Sequence, residues 1–166
     1  AHPDSASRTA KHAAKAKAMG KLWMAPVRIQ DVRPNQGIYD EAGATETLRD
    51  GWTGVIASDA DWVQIPTWND YSEGTSISPS QSHGWAYLDI SSYYLARWKT
   101  GSRPAVKRDG LYLVHRTQTY NAAPSFAQTK VMKIRSGAVS PRNQVEALVF
   151  LTKPATVTVT VGSATH

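Results

Sequence analysis

Two short apolar runs, each preceded by a helical segment, constrain the fold more than any other feature of this sequence. Residues 21–27 and 62–65 have the composition of buried strands, and Gly20 ends the helical segment before the first of them. Residues 5–19 are Ala-rich with regularly spaced Lys, while residues 45–58 place apolar side chains at helical spacing. The order helix, strand, helix, strand therefore predicts adjacent units of a (β/α) barrel or a doubly wound sheet.

The periodicity changes after a break near residues 103–105. Helical spacing gives way to short runs of β-forming residues separated by Gly, Pro, Asn and Ser. Strands are predicted at residues 111–116, 130–135, 145–151 and 156–161. The sequence thus predicts an α/β part over residues 1–105 and a partial antiparallel β-sandwich over residues 106–166.

The residues that could carry chemistry follow the second apolar run. Trp68, Asn69, Asp70, Tyr71 and Glu73 lie within six residues, where a strand should give way to a loop. Carboxylates can supply acid and base, an amide can recognise hydroxyls, and aromatic rings offer flat apolar faces. Because only three positions separate the two carboxylates, both can face one cavity. A surface turn with two solvated acids is the structural alternative.

A long polar loop is predicted over residues 28–43, directly after the first strand. In barrels the active site lies at the carboxyl ends of the strands. The loops after the two strands lie at that same end, so Asp31 and Arg33 are expected to face the same cavity as Asp70 and Glu73.

Composition excludes some classes of function. The 166 residues contain no Cys, so neither disulfides nor thiolate zinc sites can form, and no metal or cofactor is expected. The net charge of +6 is compatible with nucleic acid, but no compact basic and aromatic motif accompanies it, and no apolar run is long enough to span a membrane. His83, His115 and Arg116 are interpreted as structural, His12 as a bystander on a solvated helix, and Trp52 as a core residue.

The motif after the second strand resembles a known family. Residues 62–73 read W-V-Q-I-P-T-W-N-D-Y-S-E and resemble the signature of glycoside hydrolase family 71, the α-1,3-glucanases or mutanases. Residues 21–26, 87–94 and 108–112 also look like segments of that family. The resemblance is good over residues 10–116, and it rests on composition alone in the tail.

The resemblance implies an inverting hydrolase of α-1,3-glucan without a metal. Asp70 and Glu73 would be the catalytic pair, with carboxyl groups roughly 6.5–9.5 Å apart and Glu73 favoured as the acid. Trp68 and Tyr71 would stack on sugars, and Asn69 would bind a hydroxyl.

Two further side chains, Trp23 and Asp31, are expected to contact substrate.

A complete (β/α)₈ barrel needs about 250 residues, and only its last two strands are recognisable here. The chain is therefore expected to be the C-terminal part of a secreted, extracellular enzyme that is a monomer in its full-length form, and to be inactive in isolation. It begins without Met or an apolar signal core, which fits either processing or a longer parent protein.

The alternative is a non-catalytic carbohydrate-binding module of a cell-wall-associated protein. In that case the rings bind glycan and the acids are incidental. Replacing Asp70 and Glu73 separates the two hypotheses, since a binding module should keep its glycan affinity without them.

Overall fold

The computed structural model describes residues 3–165, and side chains from residue 8 onward. Its helices are α1 (Pro3–Ala18), α2 (Glu46–Ala57) and α3 (Ala86–Thr100). Its strands are β1 (Met24–Pro26), β2 (Asp31–Arg33), β3 (Ile38–Asp40), β4 (Trp62–Gln64), β5 (Gly110–Val114), β6 (Lys133–Ile134), β7 (Glu146–Phe150), β8 (Thr160–Val161) and β9 (Ala164–Thr165).

Strands β1 and β4 are parallel, and α2 connects them. Met24 lies opposite Trp62, and Pro26 lies opposite Gln64. Helix α1 packs against α2, and α2 packs against α3. The structure thus contains one parallel strand pair with α2 between its two strands in sequence, whereas the barrel or doubly wound sheet stays a prediction.

The core lies between this sheet and its helices. Its buried apolar residues are Ala25, Val27, Ile29, Leu48, Trp52, Val55, Ala60, Ile77 and Ile90. Trp52 is fully buried, donates its indole Nε1–H to Ser91 Oγ at 3.2 Å, and stacks on Tyr94. The interpretation of Trp52 as a core residue is confirmed.

The opposite face of the β1–β4 pair is uncovered by the residues that the structure describes. Met24 and Pro26 in β1 are exposed, as are Trp62 and Gln64 in β4, and Trp62 is 56% exposed. Within the same described range, β1 and β4 pair only with each other. Parallel sheets are normally covered on both faces, so this pair has the character of part of a larger sheet.

The prediction of a polar loop over residues 28–43 was wrong. This segment forms an antiparallel hairpin in which Val32 lies opposite Tyr39, and a 3₁₀ turn over Pro34–Gln36 connects β2 to β3. Proline presets the backbone where the turn begins, and Gly37 ends it at φ +67°, in the left-handed region that favours glycine.

The structure of the tail, residues 106–166, agrees in part with the prediction. Strands β5 and β7 are antiparallel, with Gly110 opposite Phe150 and Val114 opposite Glu146. Residues 130–135 contribute only β6, which pairs in parallel with β3 of the hairpin rather than with another strand of the tail. In residues 156–161 only Thr160–Val161 is strand, in a hairpin with β9. Alternating β-branched residues favour a strand, but a ladder also needs a partner.

The two predicted parts share direct contacts. Tyr112 Oη donates to Asp89 Oδ2 at 3.0 Å, and the rings of Tyr93 and Phe150 have centroids 4.9 Å apart. The break near residue 105 therefore marks a change of pattern within packed structure, and the barrel and the sandwich stay predictions. No helix among residues 3–165 combines the length and apolar character needed to cross a bilayer.

Candidate active site

The loop after β4 folds back on itself and presents the motif at its tip. Thr67 N–H donates to the Thr75 carbonyl at 3.2 Å, and the hydroxyls of the two residues lie 2.7 Å apart. Ser78 N–H donates to the Trp68 carbonyl at 2.9 Å. Residues 75–78 are buried and residues 68–74 are not, so the candidate site is a closed turn whose returning segment is buried.

Asp70 is held by hydrogen bonds from its own turn. Its Oδ1 accepts from Ser72 Oγ at 2.8 Å and from Glu73 N–H at 3.1 Å, while its own N–H donates to Thr67 Oγ1 at 3.2 Å. The Ser72 hydroxyl and the Glu73 amide, with a smaller contribution from the Arg33 charge, lower the pKa of Asp70. Asp70 is therefore an ionised carboxylate at neutral pH.

Glu73 is bound to the β2 strand in two ways. Its carbonyl accepts Val32 N–H at 2.7 Å, and its carboxylate pairs with the Arg33 guanidinium. Arg33 Nε also donates to Asp31 Oδ1 at 2.6 Å. The structure thus brings Asp31, Arg33 and Glu73 together, and the cavity that they were expected to share with Asp70 stays a prediction.

A second arginine joins this group from the tail. Asp31 is only 8% exposed and its Oδ2 accepts from Arg135 Nη2 at 3.1 Å, while Arg135 Nε donates to Asp40 Oδ1 at 2.8 Å. Arg28 Nη1 lies 2.7 Å from Asp40 Oδ2. Both oxygens of Asp31 therefore have arginine partners, and its substrate-binding role stays a prediction. The carboxylate–arginine network consists of Arg28, Asp31, Arg33, Asp40, Glu73 and Arg135.

The motif's aromatic rings are available to a ligand. Trp68 is 57% exposed and Tyr71 is 62% exposed, although the Tyr71 hydroxyl lies 2.6 Å from Ser78 Oγ. Asn69 is also exposed. Exposed aromatic rings of this kind suit stacking against sugars. Trp85, just before α3, is a further exposed ring that was not predicted.

Trp23 lies apart from the other predicted site residues. It precedes β1, so it belongs to the amino end of the strand pair, and its N–H donates to Asp61 Oδ2 at 2.8 Å. Its ring stacks on His12, and its indole Nε1 has no hydrogen-bond partner among the described residues. It lines a cleft of about 490 Å³ that extends to Arg28, Pro66 and Asp40.

The remaining candidates have structural contacts. The His83 ring lies 4.3 Å from the Tyr87 ring, and burial lowers the pKa of His83. Arg116 Nη2 lies 2.6 Å from Glu41 Oε1. Among the side chains that the structure describes, from residue 8 onward, no three from His, Asp or Glu are grouped so as to hold a metal ion. Arg135 was not predicted, because a partner of Asp31 that lies 104 residues away leaves no local signal.

Comparison with known proteins adds two findings. The model of glycosyl hydrolase family 71 matches residues 7–166. The glucan endo-1,3-alpha-glucosidase agn1 of Schizosaccharomyces pombe is 28% identical over 170 residues, which cover 91% of this chain and 38% of that protein. The chain thus spans well under half the length of this relative. No solved structure matches the chain.

Proposed function

Because the chain belongs to glycosyl hydrolase family 71, we propose that it carries the acid–base pair of a hydrolase of α-1,3-glucan. The observation that supports this most is the placement of Asp70 and Glu73 on one closed turn after β4, which also carries the exposed rings of Trp68 and Tyr71. The name of the Schizosaccharomyces pombe relative supports the same linkage.

The proposed reaction is a single displacement with inversion. Asp70, whose pKa is lowered, is suited to act as base: it takes a proton from a water whose oxygen attacks the anomeric carbon. Glu73 gives its proton to the glycosidic oxygen as the bond from that oxygen to the anomeric carbon breaks. The two carboxyl groups then exchange protons with solvent. This division of roles requires Glu73 to be protonated in the complex, with one oxygen carrying the proton while the other still accepts from Arg33. It also requires a carboxyl separation of roughly 6.5–9.5 Å.

Sugar binding is assigned to the exposed side chains of the turn. Trp68 and Tyr71 stack on glucose rings, and Asn69 donates or accepts a hydrogen bond with a hydroxyl. These contacts do not depend on the charge of the two acids, so binding and turnover can be separated by substitution.

The β1–β4 pair is proposed to be the last two strands of a (β/α)₈ barrel, with residues 1–105 in the barrel and residues 106–166 in a partial β-sandwich behind it. The support is the uncovered face that carries Met24 and Trp62, which would point into the barrel. In a barrel, the remaining strands supply the opposite wall of the cleft, so the 166-residue chain alone is expected to turn over glucan poorly. A secreted, monomeric full-length enzyme is part of this proposal.

The test compares Asp70→Asn, Glu73→Gln and a control in a polypeptide that includes the complete barrel. Release of reducing ends from insoluble α-1,3-glucan should fall by roughly 10²–10⁴-fold in each site variant, because each lacks half of the acid–base pair. Asp59→Asn removes a carboxylate that is 91% exposed and pairs with Lys17, and should leave turnover unchanged. Inversion is checked by NMR, as the first product should be the β-anomer.

A carbohydrate-binding module is the second candidate, and the exposure of Trp68 and Tyr71 favours it. It predicts that the barrel-complete wild type binds α-1,3-glucan without cleaving it, and that Trp68→Ala abolishes binding. Turnover that disappears in Asp70→Asn while binding remains would exclude it.

A further inference from the structure

We propose that Arg33 is a positioning residue for the candidate acid–base pair, one that fixes the Glu73 side chain and adds positive charge beside Asp70. This inference rests on the proposed function. Arg33 belongs to β2, on a different element from either carboxylate, and it is absent from the family motif quoted above.

The geometry gives Arg33 two different partners. Its Nη1 contacts Glu73 and its Nε donates to Asp31 Oδ1. The donors of a guanidinium form a rigid planar fork, so anchoring one of them on Asp31 fixes the direction of the other. Glu73 therefore meets a donor whose orientation is already set.

The backbone holds the same two elements together. Val32 N–H donates to the Glu73 carbonyl at 2.7 Å, on the residue just before Arg33. At the next position of the loop, a Cβ on Gly74 would lie 2.8 Å from Gln30 Nε2, so Gly74 allows close contact with the hairpin. The Arg33–Glu73 pair thus spans a tight junction and not an open surface.

Asp31, which anchors Arg33, is in turn held by Arg135 of the tail. The second oxygen of Asp31 accepts from Arg135, which lies next to β6, and β6 pairs with β3 of the same hairpin. Displacement of Arg33 would therefore leave a buried carboxylate short of one partner. The contact with Asp31 therefore favours this orientation of Arg33, although the side chain is partly exposed.

The charge of Arg33 acts on Asp70 as well. The groups that act on Asp70 are the hydroxyl and the amide of Ser72, the Glu73 amide and the Arg33 guanidinium, and the last of these is the only cation among them. Asp31, Glu73 and Arg135 are the other charged groups around Arg33. Loss of this cation should raise the pKa of Asp70. The acidic limb of the plot of kcat against pH, where the rate falls as Asp70 is protonated, should then move to higher pH.

The experiment uses Arg33→Met, Arg33→Lys and the matched control Arg49→Met. Arg49 is equally exposed, and its hydrogen-bond partners are Glu146 and Thr45, neither of which belongs to the candidate site. In the barrel-complete polypeptide, Arg33→Met should lower kcat by roughly 100-fold with KM little changed, because a small misplacement of a reacting group has effects of that order. Its acidic limb should move to higher pH. Arg33→Lys keeps the charge but loses the fork, so its limb should stay in place while kcat is only partly recovered.

A second measurement separates this inference from the proposed function. Carbon-13 NMR titration of the Asp70 carboxyl in the 166-residue chain should show a higher pKa in Arg33→Met than in wild type or Arg49→Met, whether or not glucan is hydrolysed. An unchanged Asp70 titration would overturn the role of Arg33, as would a loss of kcat in Arg33→Met without movement of the limb. If wild type fails to hydrolyse α-1,3-glucan, the proposed function and the positioning role fall together, and the NMR shift would then report only a structural contact.

Discussion

Arg135 offers the sharpest test of how the tail is held to the site. Its guanidinium reaches two acids at once, Asp31 and Asp40, which are 8% and 3% exposed. Methionine keeps much of the aliphatic length while removing the charge and the donors. Arg135→Met therefore deletes two charge-assisted contacts in one substitution.

The expected loss of stability in Arg135→Met depends on the partners that Asp31 and Asp40 retain. Hydrogen bonds to charged groups are worth about 1.5–3 kcal/mol each, and removing one partner of a fully buried pair costs about 3–5 kcal/mol. Asp31 keeps its hydrogen bond from Arg33. Asp40 keeps the nearby charge of Arg28, although its Oδ2 makes no hydrogen bond within the described structure. Arg135 is itself partly exposed, so the lower end applies. We expect the free energy of unfolding to fall by about 3 kcal/mol.

Urea denaturation followed by far-ultraviolet circular dichroism measures this loss. With a slope of about 2 kcal/mol per molar urea, the midpoint should fall by about 1.5 M. Lys17→Met is the control, since its partner Asp59 is 91% exposed, and its cost should stay below about 1 kcal/mol. In a cycle with Asp40→Asn, the double variant should lose less than the sum of the two single losses.

An Arg135→Met midpoint that equals that of Lys17→Met would refute the reasoning. It would mean that Arg28 and Arg33 satisfy both aspartates unaided. The tail would then be held by its backbone pairing and by its contacts with the helices.

Three further predictions concern stability. Trp52→Phe leaves the buried Ser91 hydroxyl without its donor and should lower the free energy of unfolding by at least about 1–3 kcal/mol in urea denaturation. The double variant with Ser91→Ala should lose less than the sum of the two single losses. Thr152 donates its N–H and its hydroxyl to Asp109, which lowers the pKa of Asp109 below 3.8. The stability that Asp109 contributes is therefore present above pH 3.8 and is lost as the pH falls through the lowered pKa. The difference in Tm between wild type and Asp109→Asn should accordingly close on titration from about pH 5 to about pH 2. Gly101 ends α3 at φ +68° with open space around it, so Gly101→Ala should cost roughly 1 kcal/mol from backbone strain alone, measured by the same urea assay.

The sequence predicts those features that depend on local pattern. Helical spacing in α2 and the apolar runs of β1 and β4 are each long enough to identify their element, and Trp52 follows from its place on the apolar face of α2. The motif turn was located because a strand exit and a cluster of polar and aromatic residues coincide there.

The features that were missed depend on partners far along the chain. Strands β2 and β3 each contain a charged residue and lie in a mainly polar segment, so no apolar run marks them as strands. The pairing of β6 with β3, and of Arg135 with Asp31, joins segments about a hundred residues apart, for which one sequence carries no signal. The 156–161 run shows the converse case, where strong local preference leads to a strand of only two residues.

The distance along the chain between Asp40 and Arg135, which is 95 residues, also sets an order of events during translation. At about 5–20 residues per second, the ribosome releases the hairpin roughly 5–20 s before the arginine that completes its charge balance. Throughout that interval Asp40 depends on Arg28 and on water. A nascent chain that stalls before residue 135 therefore presents an incompletely neutralised hairpin to the proteases and chaperones of the cell.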